Sequence, residues 1–466
     1  MTTGPAELSA IELLAAYRAG SLSPVEVARD ALDRIAAVND AVNAYCLVDP
    51  DRTLADAAAA EERWRRGEQR GLLDGVPVSI KDILLSRGWP TLRGSHTVDP
   101  RQAWDVDAPA VARLRENNAV LVGKTTTPEL GWKGVTDSPL TGITRNPWDV
   151  KKTAGGSSGG AAAAVATGTS PISIGTDGGG SVRIPAAFSG VFGIKPTYGV
   201  VPLFPASPYG TLAHVGPLSW TVADSALALD VLSGPDSRDW TAGPRQEPVS
   251  ATLDAGVAGM RIAFSPTLGF ARVDPEVAAL VATAAKVFTD LGARVEVVDP
   301  AIDDPVEAFH VLWFAGAAAS IVALSPAQRA RLDPGLLEIC EEGATRSALD
   351  YVAATGVRAD LGRIMGEFHE HFDLLLTPTM PIAAFDAGVE VPSGSDAARW
   401  TSWTPFTYPF NMTQQPAASL PCGFTSAGLP VGLQVVGPKH ADARVLTACK
   451  AFEEARPWQG KRPALG

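Results

Sequence analysis

The chain has 466 residues, 46% hydrophobic and 19% charged, proportions that allow a sizeable buried core and exclude a disordered or fibrous protein. Its 39 basic against 51 acidic residues leave a net charge of −12, so neither nucleic acid nor an anionic membrane is an expected partner. Four cysteines (Cys46, Cys340, Cys422, Cys449) lie far apart with no C-x-x-C pair, which points to buried thiols rather than a disulfide framework or a structural zinc site.

The N-terminus lacks a basic segment followed by an apolar one, so no secretory leader is expected. Helices are predicted through the first 70 residues. Ser9-x-x-Glu12 and Ser23-Pro24-x-Glu26 are capping boxes, the second with proline at the first helical position. A third helix runs through alanines 57–60, with Glu61–Arg65 and Glu62–Arg66 read as surface pairs. From residue 72 strands alternate with helices. Val76–Ile80 and Ala119–Val122 read as strands, with a helix capped at Asp107 between them. Met260–Phe264, a helix from Asp274-Pro275 to Gly292, and Arg294–Val298 read as a β-α-β unit. The uncharged stretch 311–324 is 14 residues long, too short to cross a bilayer, and reads as a buried helix. His369-Glu370-His371 reads as a solvated turn whose side chains diverge. Asp373–Leu376 and Gly432–Val436 are two further buried strands. No repeat or long linker divides the chain. The length prior of about three domains therefore gives way to one α/β domain over 1–466, with a central twisted, mixed and mostly parallel β-sheet covered by helices on both faces. A cytoplasmic location is expected.

The 45 glycines concentrate where chemistry is expected: Gly155-Gly156-Ser157-Ser158-Gly159-Gly160 and Gly178-Gly179-Gly180-Ser181. Such clusters let backbone N–H groups point at negative charge. Phosphate binding is one reading. Gly123-Lys124-Thr125 supplies the end of a phosphate loop, but Asn118 stands where its first glycine belongs. A nucleophile elbow at Gly155–Gly159 is a second, weakened because Trp148–Thr153 is poor strand material and no histidine has a distinctive setting. The third reading is acyl transfer with a lysine base. Lys81 ends an apolar strand, where burial favours the neutral amine. Ser181 follows glycines whose N–H groups suit an oxyanion hole. Ser157 is placed to bridge lysine and nucleophile. The co-occurrence of Lys81 with both glycine–serine clusters favours this third reading.

At these residues the chain resembles the amidase signature family, and closely. The matching core runs from Gly75 to about Asp224, through Gly155–Ala161, Gly175–Ala186 and Gly193–Gly199, with further matches at Leu375–Pro378 and Leu429–Gln434. The resemblance extends over nearly the whole chain: helical segment 1–70, signature core 72–224, and remaining sheet and pocket segments 225–466. It implies a Ser–cis-Ser–Lys triad, with Lys81 as general base, Ser157 as the bridging serine after a cis Gly156–Ser157 peptide, and Ser181 as nucleophile. The oxyanion hole would be the N–H groups of Gly178, Gly179, Gly180 and Ser181. Gly156, Ser158, Thr176, Asp177 and Arg183 match supporting positions.

The implied activity is hydrolysis of a small aryl or hydrophobic amide, anilide, hydrazide or carbamate through a seryl acyl-enzyme, with no metal and no cofactor. The substrate is the expected partner, and a homodimer is left open. The family's other branch is the glutaminase subunit of tRNA-dependent amidotransferases, which usually carries Asp-Gln before the Gly-Pro closing the core. Leu212-Ala213-His214-Val215-Gly216-Pro217 lacks both and favours a free-standing hydrolase. A non-catalytic ligand-binding relative is the third class, disfavoured by the intact triad positions. Trp132, Phe204, Tyr209, Trp313 and Phe314 are the candidate pocket aromatics.

Overall fold

In a computed structural model, which describes residues 4–465, strands from both ends of the chain enter one sheet of eleven. Met1 to Thr3, where the expectation of no secretory leader begins, and Gly466 lie outside the described residues. In chain order the strands are β1 (Tyr45–Val48), β2 (Pro77–Lys81), β3 (Val120–Thr125), β4 (Ile172–Asp177), β5 (Phe192–Lys195), β6 (His214–Ser219), β7 (Arg261–Phe264), β8 (Arg294–Val297), β9 (Leu374–Pro378), β10 (Ala417–Phe424) and β11 (Pro430–Val436). Their spatial order is β1-β3-β2-β4-β6-β5-β10-β11-β9-β7-β8.

The sheet is mixed, as expected, but the balance expected within it is reversed. Only the β2–β3, β2–β4, β7–β9 and β7–β8 pairs are parallel, and the other six are antiparallel. Two features account for this. β6 inserts antiparallel between β4 and β5 although a helix, Arg183–Ser189, joins those two as in a parallel unit. β10 and β11 are joined by a short turn through Gly428, φ +79°, and two strands joined so briefly can pair only antiparallel. The predicted β7-helix-β8 unit is parallel, its helix Pro275–Asp290 capped by Asp274.

Alternation along the strands assigns the two faces. Leu374 and Leu376 join one core with the helices Pro275–Asp290 and Asp442–Ala455. Leu375, pointing the other way, joins a second core with the helices Val306–Ile321, Pro334–Gly343 and Ala348–His371. Helices thus cover both faces.

Both N-terminal capping boxes form, at Ser9/Glu12 and Ser23/Glu26. The cap expected at Asp107 does not. The helix Pro109–Glu116 begins after Ala108, while the Asp107 carboxylate accepts the Arg87 N–H at 2.6 Å and lies 3.2 Å from Arg115. On the third helix, Arg65 pairs with Glu62 rather than with the expected Glu61, while Glu62–Arg66 forms as expected. His369-Glu370-His371 is the last turn of the helix Ala348–His371 rather than a separate turn. His369 is half-buried there, its Nδ1 3.0 Å from the Phe372 carbonyl. No helix among the described residues is long and apolar enough to cross a membrane.

Candidate active site

β2 ends on Lys81 between two parallel neighbours, β3 and β4, so its side chain is fully buried. Lys81 Nζ lies 2.7 Å from Ser157 Oγ, 2.9 Å from Ser158 Oγ and 2.9 Å from Thr176 Oγ1. Among the described residues no carboxylate touches it. Burial pushes the ammonium well below its ordinary pKa, against the weaker pull of Asp177 in the opposite direction. The segments behind the phosphate and elbow readings sit elsewhere in the fold. Lys124 sits inside β3 and pairs with Asp82 at 2.8 Å. Asp149–Thr153 does form a strand, correcting the sequence reading, but in a separate two-stranded ribbon with Arg145–Asn146.

The Gly156–Ser157 peptide is cis, and the backbone there passes so close to Val135 that a Cβ on Gly156 would lie 2.5 Å from its carbonyl. Only glycine fits. Ser157 therefore reaches Lys81 from a loop pressed against its neighbour rather than from a free turn.

Asp177, at the end of β4, organises the following loop. Its carboxylate accepts the N–H of Gly180 at 2.8 Å and of Val182 at 3.1 Å, which turns the chain around Gly178–Ser181. Gly180 adopts φ +126°, with Thr407 against the position a Cβ would occupy. This geometry revises the expected oxyanion hole: the Gly180 N–H is committed to Asp177, which leaves the N–H groups of Gly178, Gly179 and Ser181 as the uncommitted donors. Ser181 Oγ faces a cavity of about 420 Å³ that Ser157, Thr176 and Gly178 also line. It makes no hydrogen bond among the described residues. Catalytic hydrogen bonds often tighten only when substrate is bound.

Arg183 closes the arrangement from below. All five of its donors are used: two on Asp177, the others on Thr407 O, Gln434 Oε1 and Asn411 Oδ1. Although burial opposes it, Arg183 holds the Asp177 carboxyl well below the usual carboxylate range. Asn411 and Gln434 are the partners that reading for supporting residues missed. Replacing Arg183 by Met would leave Asp177 buried and uncompensated. The expected loss is about 3–5 kcal/mol of stability, read from a denaturant midpoint, with Arg183→Lys recovering only part because an ammonium cannot span acceptors arranged for a fork.

The candidate aromatics divide. Phe204, Tyr209 and Trp313 line the cavity, the last two stacked with ring centroids 3.7 Å apart. Trp132 and Phe314 do not. Trp132 is buried in the second core, its carbonyl accepting Trp313 Nε1–H at 3.2 Å, and Phe314 stacks on His310 at 4.7 Å away from the cavity. The wall is completed by Ile83, Leu130, Leu203 and Pro205, and by Arg93. None of these was singled out from sequence, since isolated apolar loop residues carry no periodic signal. No cluster of three or more His, Cys, Asp or Glu side chains suited to a metal ion occurs among the described residues.

A family model described as Amidase matches residues 26–446. The chain is 40% identical to an acylamidase of Rhodococcus erythropolis over 465 residues, 98% of this chain and 97% of the relative. It is 35% identical to a glutamyl-tRNA(Gln) amidotransferase subunit of Chloroflexus aggregans, over 97% of this chain and 96% of that one. Among solved structures it is similar to a bacterial aryl acylamidase of the amidase signature enzymes, with a TM-score of 0.91 and 34% identity over 97% of each chain.

Proposed function

The chain belongs to the amidase signature family, and we propose that it hydrolyses a small amide with an aryl or otherwise hydrophobic body through an acyl-enzyme on Ser181. The observation that carries this reading is the buried Lys81 amine 2.7 Å from Ser157 Oγ, beside a mostly apolar cavity onto which Ser181 opens.

Hydrogen-bond accounting supports one direction for the proton. A neutral amine has two N–H groups and one lone pair. The Ser158 hydroxyl spends its proton on the Thr176 carbonyl at 3.1 Å, so towards Lys81 it only accepts. With Thr176 Oγ1 accepting the second N–H, the lone pair is left for the Ser157 hydroxyl. Ser157 then takes the Ser181 proton as Oγ attacks the amide carbonyl. The Gly178, Gly179 and Ser181 N–H groups hold the oxyanion. As the C–N bond breaks, the proton returns through Ser157 to the leaving nitrogen, and water releases the acid. Phe204, Tyr209 and Trp313 would pack the hydrophobic body of the substrate.

The amidotransferase subunits related to this chain make glutamine the competing substrate. The segment Leu212–Pro217, whose Ala213 lines the cavity, lacks the Asp-Gln pair those subunits usually carry before the Gly-Pro, which favours the free-standing hydrolase. A panel of glutamine, an aliphatic amide, an anilide, a hydrazide and a carbamate tests this. Turnover of the anilide above glutamine, with a fluorophosphonate probe labelling Ser181, is the expected result. Glutamine hydrolysis dominating the panel would reverse it.

A further inference from the structure

Arg93 is the one charged residue lining the cavity, among the described residues. Other arginines drawn into the protein spend their donors on it: Arg113 on the Leu232, Gly234 and Pro235 carbonyls, Arg358 on Met412 and Thr211, Arg183 on five acceptors. The half-buried Arg93 guanidinium donates to no protein acceptor and makes no ion pair among the described residues. The nearest acid, Asp82, is already occupied by Lys124 at 2.8 Å and by the Arg93 backbone N–H at 2.9 Å. Burial lowers the guanidinium's pKa and Asp82 opposes this, as expected of a partly desolvated cation.

The backbone singles out the same place. Arg93 has φ +57° and Leu130, on the same wall, φ +52°, and the Leu130 N–H donates to the Arg93 carbonyl at 2.8 Å. Residues held in the left-handed conformation are enriched at functional sites, and here two of them, bonded to each other, stand on the cavity wall.

We propose that Arg93 is a specificity-determining residue that binds a carboxylate on the substrate, so that the preferred substrates are amides with a hydrophobic body and one acidic group. This rests on the hydrolytic reading above for the identity of the reacting bond. A carboxylate is favoured over a phosphate ester because one guanidinium neutralises one charge and no second cation lines the cavity.

The test compares 4-acetamidobenzoate with its neutral isostere 4-acetamidobenzamide, by binding to the Ser181→Ala protein and by turnover in the wild type. The acid should bind about tenfold more tightly than the carboxamide, and the difference should shrink with added salt. Arg93→Gln should erase the difference while leaving the carboxamide's affinity in place, and Arg93→Lys should keep part of it. Equal affinities, binding of neither, or an equal loss for both ligands in Arg93→Gln would overturn the proposal. Discrimination in binding without turnover of either compound in the wild type would support Arg93 and count against the hydrolytic reading alone.

Discussion

Ser181→Ala is expected to lower turnover by about four to six orders of magnitude while leaving the fold unchanged. The separation of the two effects follows from the local contacts. Ser181 Oγ has no hydrogen-bond partner among the described residues, so removing it orphans no buried group there. The Ser181 carbonyl keeps the Ser158 N–H at 3.0 Å, so the turn that presents the residue survives. Stability should therefore move by no more than about 0.5 kcal/mol. Turnover and a thermal or denaturant midpoint, measured on one preparation, check both halves. A variant that folds and still turns over at more than a hundredth of the wild-type rate would place the nucleophile elsewhere.

Lys81→Met should cost about two to four orders of magnitude in kcat, the range of a lost general base. Lys81→Arg should not rescue it, because a guanidinium stays protonated and cannot accept the Ser157 proton. The same reasoning sets the sign of the pH dependence. Burial lowers the Lys81 pKa, and the neutral amine is the working form. Activity should thus fall as pH drops through that lowered pKa and level off above it. An acid limb in kcat/KM that persists unchanged in the residual activity of Lys81→Met would assign the limb to another group.

The structure explains why the catalytic segment was legible and the cavity was not. Glycine clusters are a signal of type and spacing. At Gly156 and Gly180 the backbone runs against Val135 and Thr407, where no Cβ fits, so the requirement is written into residue identity. The aromatics carry no such mark. Trp313 and Phe314 are consecutive on one helix and point about 100° apart, so one reaches the cavity and the other the core, although their residue types predict the same environment. Arg93 had no signal at all. An arginine in a loop is ordinarily solvated, and only the burial of its surroundings makes an unpaired guanidinium conspicuous. The sheet shows the same division. Hydrophobic runs located six of the eleven strands but not β1, β4, β5, β6 or β10, and the antiparallel insertion of β6 between β4 and β5 depends on which edge is free when the elements pack, which composition does not encode.

By itself, then, the sequence determined six of the eleven sheet strands, the N-terminal capping boxes, the family and the residues of the lysine–serine constellation, because each rests on local periodicity or on positions where a single residue type fits. The tertiary structure decided the rest: sheet pairing, the commitment of the Gly180 N–H to Asp177, the partners of Arg183, and the residues that face the cavity. These depend on contacts between segments as far apart as residues 183 and 434, and such contacts exist only once burial has selected which groups meet.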